Sequence, residues 1–124
     1  MTNPASFKYT PEHEWLEIND GVATVGITAY AADALGDVVF VELPTVGTLV
    51  TGGTPCGEIE STKSVSDLFA PADGEVLEIN DAVAADPAAV NADPFRAGWL
   101  FRMRIVGTPE LLDAEQYDQL TGGE

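Results

Sequence analysis

Short stretches of β-type sequence, separated by turn residues, recur along most of this chain and constrain its fold more than any other feature. They are rich in Val, Ile and aromatic residues, with Gly, Pro, Asn or Asp between them, and they occupy residues 14–18, 22–27, 38–43, 55–60, 65–70, 75–80 and 98–106. Strands repeated at roughly 8–12-residue intervals are typical of a small sandwich or barrel. Asn19-Asp20-Gly21 joins the first two, and Asp-Gly tolerates the positive φ angles of a tight hairpin turn. The pattern predicts a mainly β fold.

Helical signals are confined to a few short segments. Residues 28–36 can form a helix that Thr28 caps and Gly36 ends, with alanines between them. Residues 81–93 are rich in Ala, Asp and Pro, and we expect a loop there with one helical turn opened by Asp86-Pro87. Small helices therefore accompany the strands.

Two helix-start patterns stand near the end of the chain. Thr108-Pro109-Glu110 reads as an N-cap followed by a proline at the first helical position, and Asp113 with Gln116 resembles a capping box. The length of 124 residues fits one domain. We expect that domain to span residues 1–124, with a core of about residues 8–119 and a flexible tail at 120–124.

The charge is the unusual part of the composition. The chain has 21 Asp and Glu against five Lys and Arg, a net formal charge of −16. Such a surface repels phosphate groups, so we expect binding neither to nucleic acid nor to an anionic membrane. It favours partners that present positive patches. The one cysteine, Cys56, excludes an internal disulfide and a cysteine-built zinc site, and we expect it to be a small buried strand residue.

We expect no targeting signal at the start of the chain. Residues 1–11 contain no apolar leader segment, and no apolar run reaches the length of a membrane span. These features favour the cytoplasm of a bacterium, with the mitochondrial matrix left open as an alternative. No apolar surface stripe calls for a dimer, so we expect a monomer.

Lys63 is one of only two lysines, and it stands between two strand signals. Its neighbours Ser61, Thr62 and Ser64 are small and polar, which suits the tip of a hairpin without a bulky shield. A lysine there is a flexible amine in water. Taken alone, the spacing favours an ordinary exposed lysine that offsets nearby glutamates.

Several blocks of the sequence, in order and with hardly any gap, match one family pattern. Around Lys63 the block runs from Glu60 to Asp67 and continues through Ala70-Pro71 and Gly74-Glu75-Val76. The other blocks are Tyr9-Thr10-Pro11-Glu12-His13-Glu14-Trp15, Gly26-Ile27-Thr28 with residues 35–44, Asn91 with Asp93-Pro94, Gly98-Trp99-Leu100, and residues 111–117. Together they cover about residues 8–119 and resemble the H protein family of the glycine cleavage system.

The resemblance implies a fold and a covalent cofactor. The fold is the lipoyl/biotinyl-type sandwich of two small antiparallel sheets (a barrel-sandwich hybrid), with short helices near the N-terminus and at the C-terminus and with Lys63 on a hairpin turn. The cofactor is lipoate, attached as an amide on the side-chain nitrogen of Lys63. The protein is then a carrier without catalytic residues of its own.

The resemblance also implies the partners. The pyridoxal-phosphate-dependent glycine decarboxylase (P protein) loads an aminomethyl group onto the lipoyl arm. The tetrahydrofolate-dependent aminomethyltransferase (T protein) removes it, and dihydrolipoamide dehydrogenase (L protein) reoxidises the arm. Lipoylating enzymes act on the unmodified chain.

Three carboxylates are candidates for holding the loaded arm, whose amine is cationic. In the family, the positions that match Glu14 and Asp67 are associated with the arm, and Glu12 lies close by in sequence. Carboxylates in a groove that excludes water could bind the amine by charge-assisted hydrogen bonds. The alternative is that they are solvated strand residues.

Other functions remain open at this point. One is a lipoyl or biotinyl carrier domain of another multienzyme complex, although Thr62 and Ser64 stand where biotin domains usually place methionines. A second is a hydrolase or metal enzyme built on Glu12, His13 and Glu14, but His13 is the only histidine and we expect no metal site. A third is an interaction module in which Lys63 stays unmodified.

Overall fold

A computed structural model describes residues 3–107 and 109–121. Within these ranges the chain forms nine strands and four short helices. The strands are β1 (Lys8–Tyr9), β2 (Glu14–Asn19), β3 (Val22–Ile27), β4 (Val38–Glu42), β5 (Leu49–Val50), β6 (Pro55–Ser61), β7 (Val65–Phe69), β8 (Gly74–Ile79) and β9 (Phe101–Ile105). The helices are α1 (Ala29–Leu35), α2 (Asp81–Ala85), α3 (Ala88–Ala92) and α4 (Ala114–Leu120).

The strands form two antiparallel sheets. One has six strands in the order β1-β2-β3-β9-β8-β5, and the other has three in the order β4-β6-β7. Buried side chains from both sheets, among them Val25 and Phe101 of the larger and Ile59 and Leu68 of the smaller, belong to one apolar cluster. The predicted two-sheet fold with short helices is confirmed.

The predicted hairpin and first helix are also confirmed. Asp20 and Gly21 have φ angles of 52° and 78° and turn β2 into β3. Thr28 caps α1 by accepting a hydrogen bond from the amide of Ala31 at 3.2 Å. Gly36 follows the helix with a φ of 83°.

The prediction for residues 81–93 is partly confirmed: the helical turn opened by Asp86-Pro87 is α3. The loop expected before it is wrong, because residues 81–85 form the helix α2. Asn80 caps α2 by accepting from the amide of Ala82 at 3.1 Å, and Pro87 precedes α3. Each helix buries one valine, Val83 and Val90 respectively. This tertiary burial stabilises helices too short to form alone.

The two helix-start patterns near the end of the chain have different outcomes. Thr108 lies outside the described residues, and Pro109 and Glu110 are not helical. Leu112 instead pairs with Tyr9, each amide donating to the other residue's carbonyl at 2.8 Å, so the chain is extended where a helix was expected. The capping box of Asp113 and Gln116 is confirmed as the start of α4.

Sequence patterns did not predict β1 and β5. Each has only two residues, which is too short for an alternating pattern to be recognised. The expected tail at 120–124 is described only in part, since Leu120 ends α4 and residues 122–124 lie outside the described ranges.

Gly26 is required by the ring of Trp15, the residue opposite it in the β2–β3 pair. An ideal Cβ at Gly26 would stand 2.6 Å from two indole carbons. The indole cannot move freely, because its Nε1 donates to the carbonyl of Pro94 at 2.8 Å and its ring stacks on Phe7 at 4.8 Å. We expect Gly26→Ala to lower the free energy of unfolding by about 2–3 kcal/mol through overpacking, as measured by urea denaturation.

A double-mutant cycle tests the cause of that loss. Trp15→Phe removes part of the indole that the new methyl group would meet. The double variant should therefore be more stable than the sum of the two single losses predicts. Strictly additive losses would contradict the steric explanation.

Candidate functional site

Lys63 lies at the tip of the hairpin that joins β6 to β7, and its side chain is exposed. Ser61 shapes this turn. Its amide donates to the carbonyl of Ser64 at 2.8 Å, and its Oγ accepts from the amides of Lys63 and Ser64 at 3.2 and 3.1 Å. Small hydroxyl side chains bond nearby backbone groups in this way in tight turns. The predicted position of Lys63 on a hairpin turn is confirmed.

The side chain of Lys63 lies over the backbone of Gly36. An ideal Cβ on Gly36 would stand 3.0 Å from the Cε of Lys63, so a larger residue would crowd the lysine stem. The turn is tied to the same segment by the amide of Thr62, which donates to the carbonyl of Asp37 at 3.0 Å. The lysine stem is therefore supported where α1 ends and β4 begins.

A cavity of about 170 Å³ adjoins this segment. We call it the acidic cavity, because the carboxylates of Glu12, Glu14 and Asp67 line it. Ala34 and Leu35, which immediately precede Gly36, line it as well. Its remaining lining residues are His13, Ile27, Ala31, Ile59 and Ser66. The fold thus brings together all three carboxylates that the sequence singled out, although Glu14 belongs to the six-stranded sheet and Asp67 to the three-stranded one.

Glu14 is the one fully buried carboxylate among these three, with a relative exposure of 1%. Its Oε1 accepts a hydrogen bond from Oγ1 of Thr10 at 2.7 Å. Its backbone amide donates to the same Oγ1 of Thr10 at 3.2 Å. Burial raises the pKa of Glu14 to about 7, the charge of Glu12 adds to this effect, and the hydrogen bond from Thr10 opposes it. The carboxyl therefore titrates close to neutral pH.

His13 also lines the acidic cavity, a role that its isolated place in the sequence did not reveal. Its backbone has a φ of 72°, and its Nδ1 lies 2.7 Å from the hydroxyl of Tyr117 on α4. The same hydroxyl lies 2.8 Å from Oγ1 of Thr28. Burial lowers the pKa of His13 despite the opposing charge of Glu12. The imidazole is thus held by Tyr117, whose hydroxyl is in turn held by Thr28. Because these residues are distant in sequence, only the tertiary structure could reveal the contacts.

The thiol of Cys56 is unsuited to nucleophilic chemistry. Cys56 is half-buried on β6, and burial raises the pKa of its thiol to about 12, with the charge of Glu14 adding to the effect. It therefore stays protonated at neutral pH.

Within residues 3–107 and 109–121, no three or more His, Cys, Asp or Glu side chains are grouped so that they could hold a metal ion. In the same part of the chain, no helix is long and apolar enough to cross a membrane.

Comparison with known proteins identifies the family. The family model described as glycine cleavage H-protein matches residues 7–123. The glycine cleavage system H protein of Beutenbergia cavernae is 60% identical over 124 residues, covering 100% of both chains. The chain belongs to the glycine cleavage H-protein family. The glycine cleavage system H protein of Thermobifida fusca, a second member, is 57% identical and covers 100% of this chain and 99% of its own.

A solved structure of the same family agrees with the fold. The crystal structure of a glycine cleavage system H protein from Mycobacterium marinum matches this chain with a TM-score of 0.93 at 48% identity. The match covers 97% of this chain and 99% of that one. The family expected from the sequence blocks is therefore confirmed.

The buried carboxyl of Glu14 makes stability depend on pH. Its pKa is about 7 in the folded chain against an ordinary value of 4.5, so folding favours the protonated form. The stability that the protonated carboxyl gives the folded chain is fully present below about pH 4.5. It is lost as the pH rises through about 7. We expect Glu14→Gln to remove a pH-dependent loss on the order of 3 kcal/mol between pH 4.5 and 8, measured by urea denaturation.

Glu17→Gln is the matched control, because Glu17 lies on the same strand and is exposed. It should keep the pH dependence of the unmodified sequence. If Glu14→Gln also keeps that dependence, Glu14 does not titrate near neutral pH in the folded protein.

Proposed function

We propose that this protein is the lipoyl carrier of a glycine cleavage system and that lipoate is attached as an amide on Nζ of Lys63. The observation that carries the proposal is the position of Lys63. Its side chain lies at an exposed hairpin tip and over Gly36. Gly36 directly follows Ala34 and Leu35, two of the residues that line the acidic cavity. Membership of the H-protein family supports the same role.

The residues around Lys63 fit such an arm. A lysine extended by lipoate has about ten bonds in series and reaches on the order of 13 Å from the backbone. Conversion of the amine to an amide removes its charge and leaves a mainly apolar tether, which suits the aliphatic wall that Ala31, Ala34 and Leu35 give to the acidic cavity. The volume of about 170 Å³ equals roughly five or six water molecules, so it suits a small head group.

The bound lipoyl group would supply a disulfide that accepts and later releases an aminomethyl group. The chain's own part is to protect the amine of that cargo. Glu14 and Asp67, with Glu12 beside them, bind a cationic amine by charge-assisted hydrogen bonds. The partly enclosed cavity limits access of water, which would otherwise release the cargo as formaldehyde and ammonia.

The partners follow from this role. We infer that glycine decarboxylase (P protein) loads the carrier, aminomethyltransferase (T protein) unloads it and dihydrolipoamide dehydrogenase (L protein) reoxidises it, after a lipoylating enzyme has modified Lys63. The carrier has no turnover of its own. The net charge of −16 speeds encounter with partners whose entrances are positive. We place this monomeric carrier in the bacterial cytoplasm, consistent with its bacterial relatives.

Replacement of Lys63 tests the attachment site. We expect intact-mass analysis after incubation with lipoate, ATP and a lipoylating enzyme to show one lipoyl increment on the unmodified sequence and none on Lys63→Arg, because a guanidinium is not acylated. Glycine oxidation with the purified companion enzymes should fall to background in the same variant.

Lys8→Arg is the matched control, since Lys8 is the other lysine and is also exposed. It should be modified and active like the parent chain. A lipoyl increment that persists in Lys63→Arg, a biotin increment on the parent chain, or undiminished glycine oxidation by the variant would each refute the proposal.

Replacement of the cavity carboxylates tests the protection of the cargo. In Glu14→Gln and Asp67→Asn we expect spontaneous release of formaldehyde and ammonia from the loaded carrier to accelerate about tenfold, the effect of losing one charge-assisted hydrogen bond. Glu17→Gln should release its cargo at the parent rate. Equal lifetimes in all four proteins would exclude Glu14 and Asp67 from this role.

A further inference from the structure

Asn91 on α3 connects two backbone groups that flank Asp37. Its Nδ2 donates to the carbonyl of Gly36 at 2.8 Å, and its Oδ1 accepts from the amide of Val38 at 2.8 Å. The carbonyls at the end of a helix have no partner inside it, so Asn91 supplies the partner for Gly36 after α1. One amide side chain thus holds both sides of a three-residue segment.

This segment, residues 36–38, is the same one that supports Lys63. Gly36 lies beneath the lysine Cε, and Asp37 accepts the hydrogen bond from the amide of Thr62. Val38 pairs with Ser61, the residue that shapes the lysine turn. Every residue of the segment therefore contacts or pairs with the hairpin that carries Lys63.

We propose that Asn91 is a positioning residue for Lys63. By holding residues 36–38 in place it fixes the surface over which the lysine stem lies, and so directs the arm toward Leu35 and the acidic cavity. The inference rests on the proposed function of Lys63 as the attachment site. Asn91 acts through its hydrogen bonds to the backbone of Gly36 and Val38.

An amide is suited to this role because it offers a donor and an acceptor on one planar group. Asn91→Ala removes both hydrogen bonds. Asn91→Asp has nearly the same shape and can still accept from Val38, but it places a carboxylate oxygen opposite the carbonyl oxygen of Gly36. The two variants therefore disturb residues 36–38 in different ways, and the second keeps the test decisive if the first folds poorly.

Asn80 provides a matched control. Its side chain caps α2 through Ala82 at 3.1 Å and donates to the carbonyls of Ala97 and Trp99 at 3.0 and 2.7 Å. Asn80→Ala therefore loses at least as many hydrogen bonds as Asn91→Ala, but none of them involves residues 36–38 or the lysine turn. A merely structural role predicts that both alanine variants behave alike.

The first measurement is hydrogen exchange of the Thr62 amide, which reports directly on its bond to Asp37 and does not depend on the cofactor. We expect exchange to accelerate about tenfold in Asn91→Ala and Asn91→Asp, relative to the core amides of the same variant. Asn80→Ala should leave it within twofold of the parent chain.

The second measurement is the rate at which a lipoylating enzyme modifies Lys63, with all chains compared at equal folded concentration. We expect kcat/KM to fall about five- to tenfold in both Asn91 variants and to stay within twofold in Asn80→Ala. Unchanged exchange at Thr62, unchanged lipoylation, or equal effects in Asn80→Ala would each overturn the inference. Failure of the parent chain to become lipoylated at Lys63 would instead refute the proposed function, and the exchange at Thr62 would still decide whether Asn91 positions the turn.

Discussion

The place of Lys63 depends on hydrogen bonds between segments that are distant in sequence. The side chains of residues 62–65 are exposed and give the hairpin tip no burial. The buried Ser61 therefore bonds the turn internally, and the amide of Thr62 ties it to Asp37. The hydrogen bond from Thr62 to Asp37 can fix the turn only because residues 36–38 are fixed as well. They follow directly after α1, and Asn91 bonds to the backbone on both sides of Asp37. A long side chain at the tip can then swing while its root stays fixed.

The acidic cavity differs from the lysine turn, where hydrogen bonds stabilise the structure. Its buried carboxylate, Glu14, lowers the stability of the fold when it is charged. Packing between the sheets encloses Glu14, leaves it one side-chain hydrogen-bond donor in Thr10, and raises its pKa to about 7. Unpaired charge in such a place destabilises a protein. A cationic amine brought to the cavity would supply the missing partner, so the cost of burying Glu14 and its proposed role in binding the cargo amine have the same origin.

Local patterns correctly predicted the turns and helix caps, which form through contacts between residues that are near in sequence. The Asp20-Gly21 turn, the cap of α1 by Thr28 and the box at Asp113 all form as expected. Local patterns failed where distant residues decide. The loop expected before Asp86-Pro87 becomes the helix α2 because Val83 is buried in the core, and residue 112 is extended because it pairs with Tyr9.

The order of short strands predicted a small sandwich or barrel, and the small polar residues beside Lys63 predicted a lysine on a turn. The resemblance carried by the sequence blocks predicted the family and, with it, the fold of two antiparallel sheets. The tertiary structure alone decided that Lys63 lies over Gly36, that Asn91 bonds to the backbone of Gly36 and Val38, and that Glu14 and Asp67 line one cavity. The reason is physical: burial, close approach and hydrogen bonds between remote segments exist only once the two sheets have packed together.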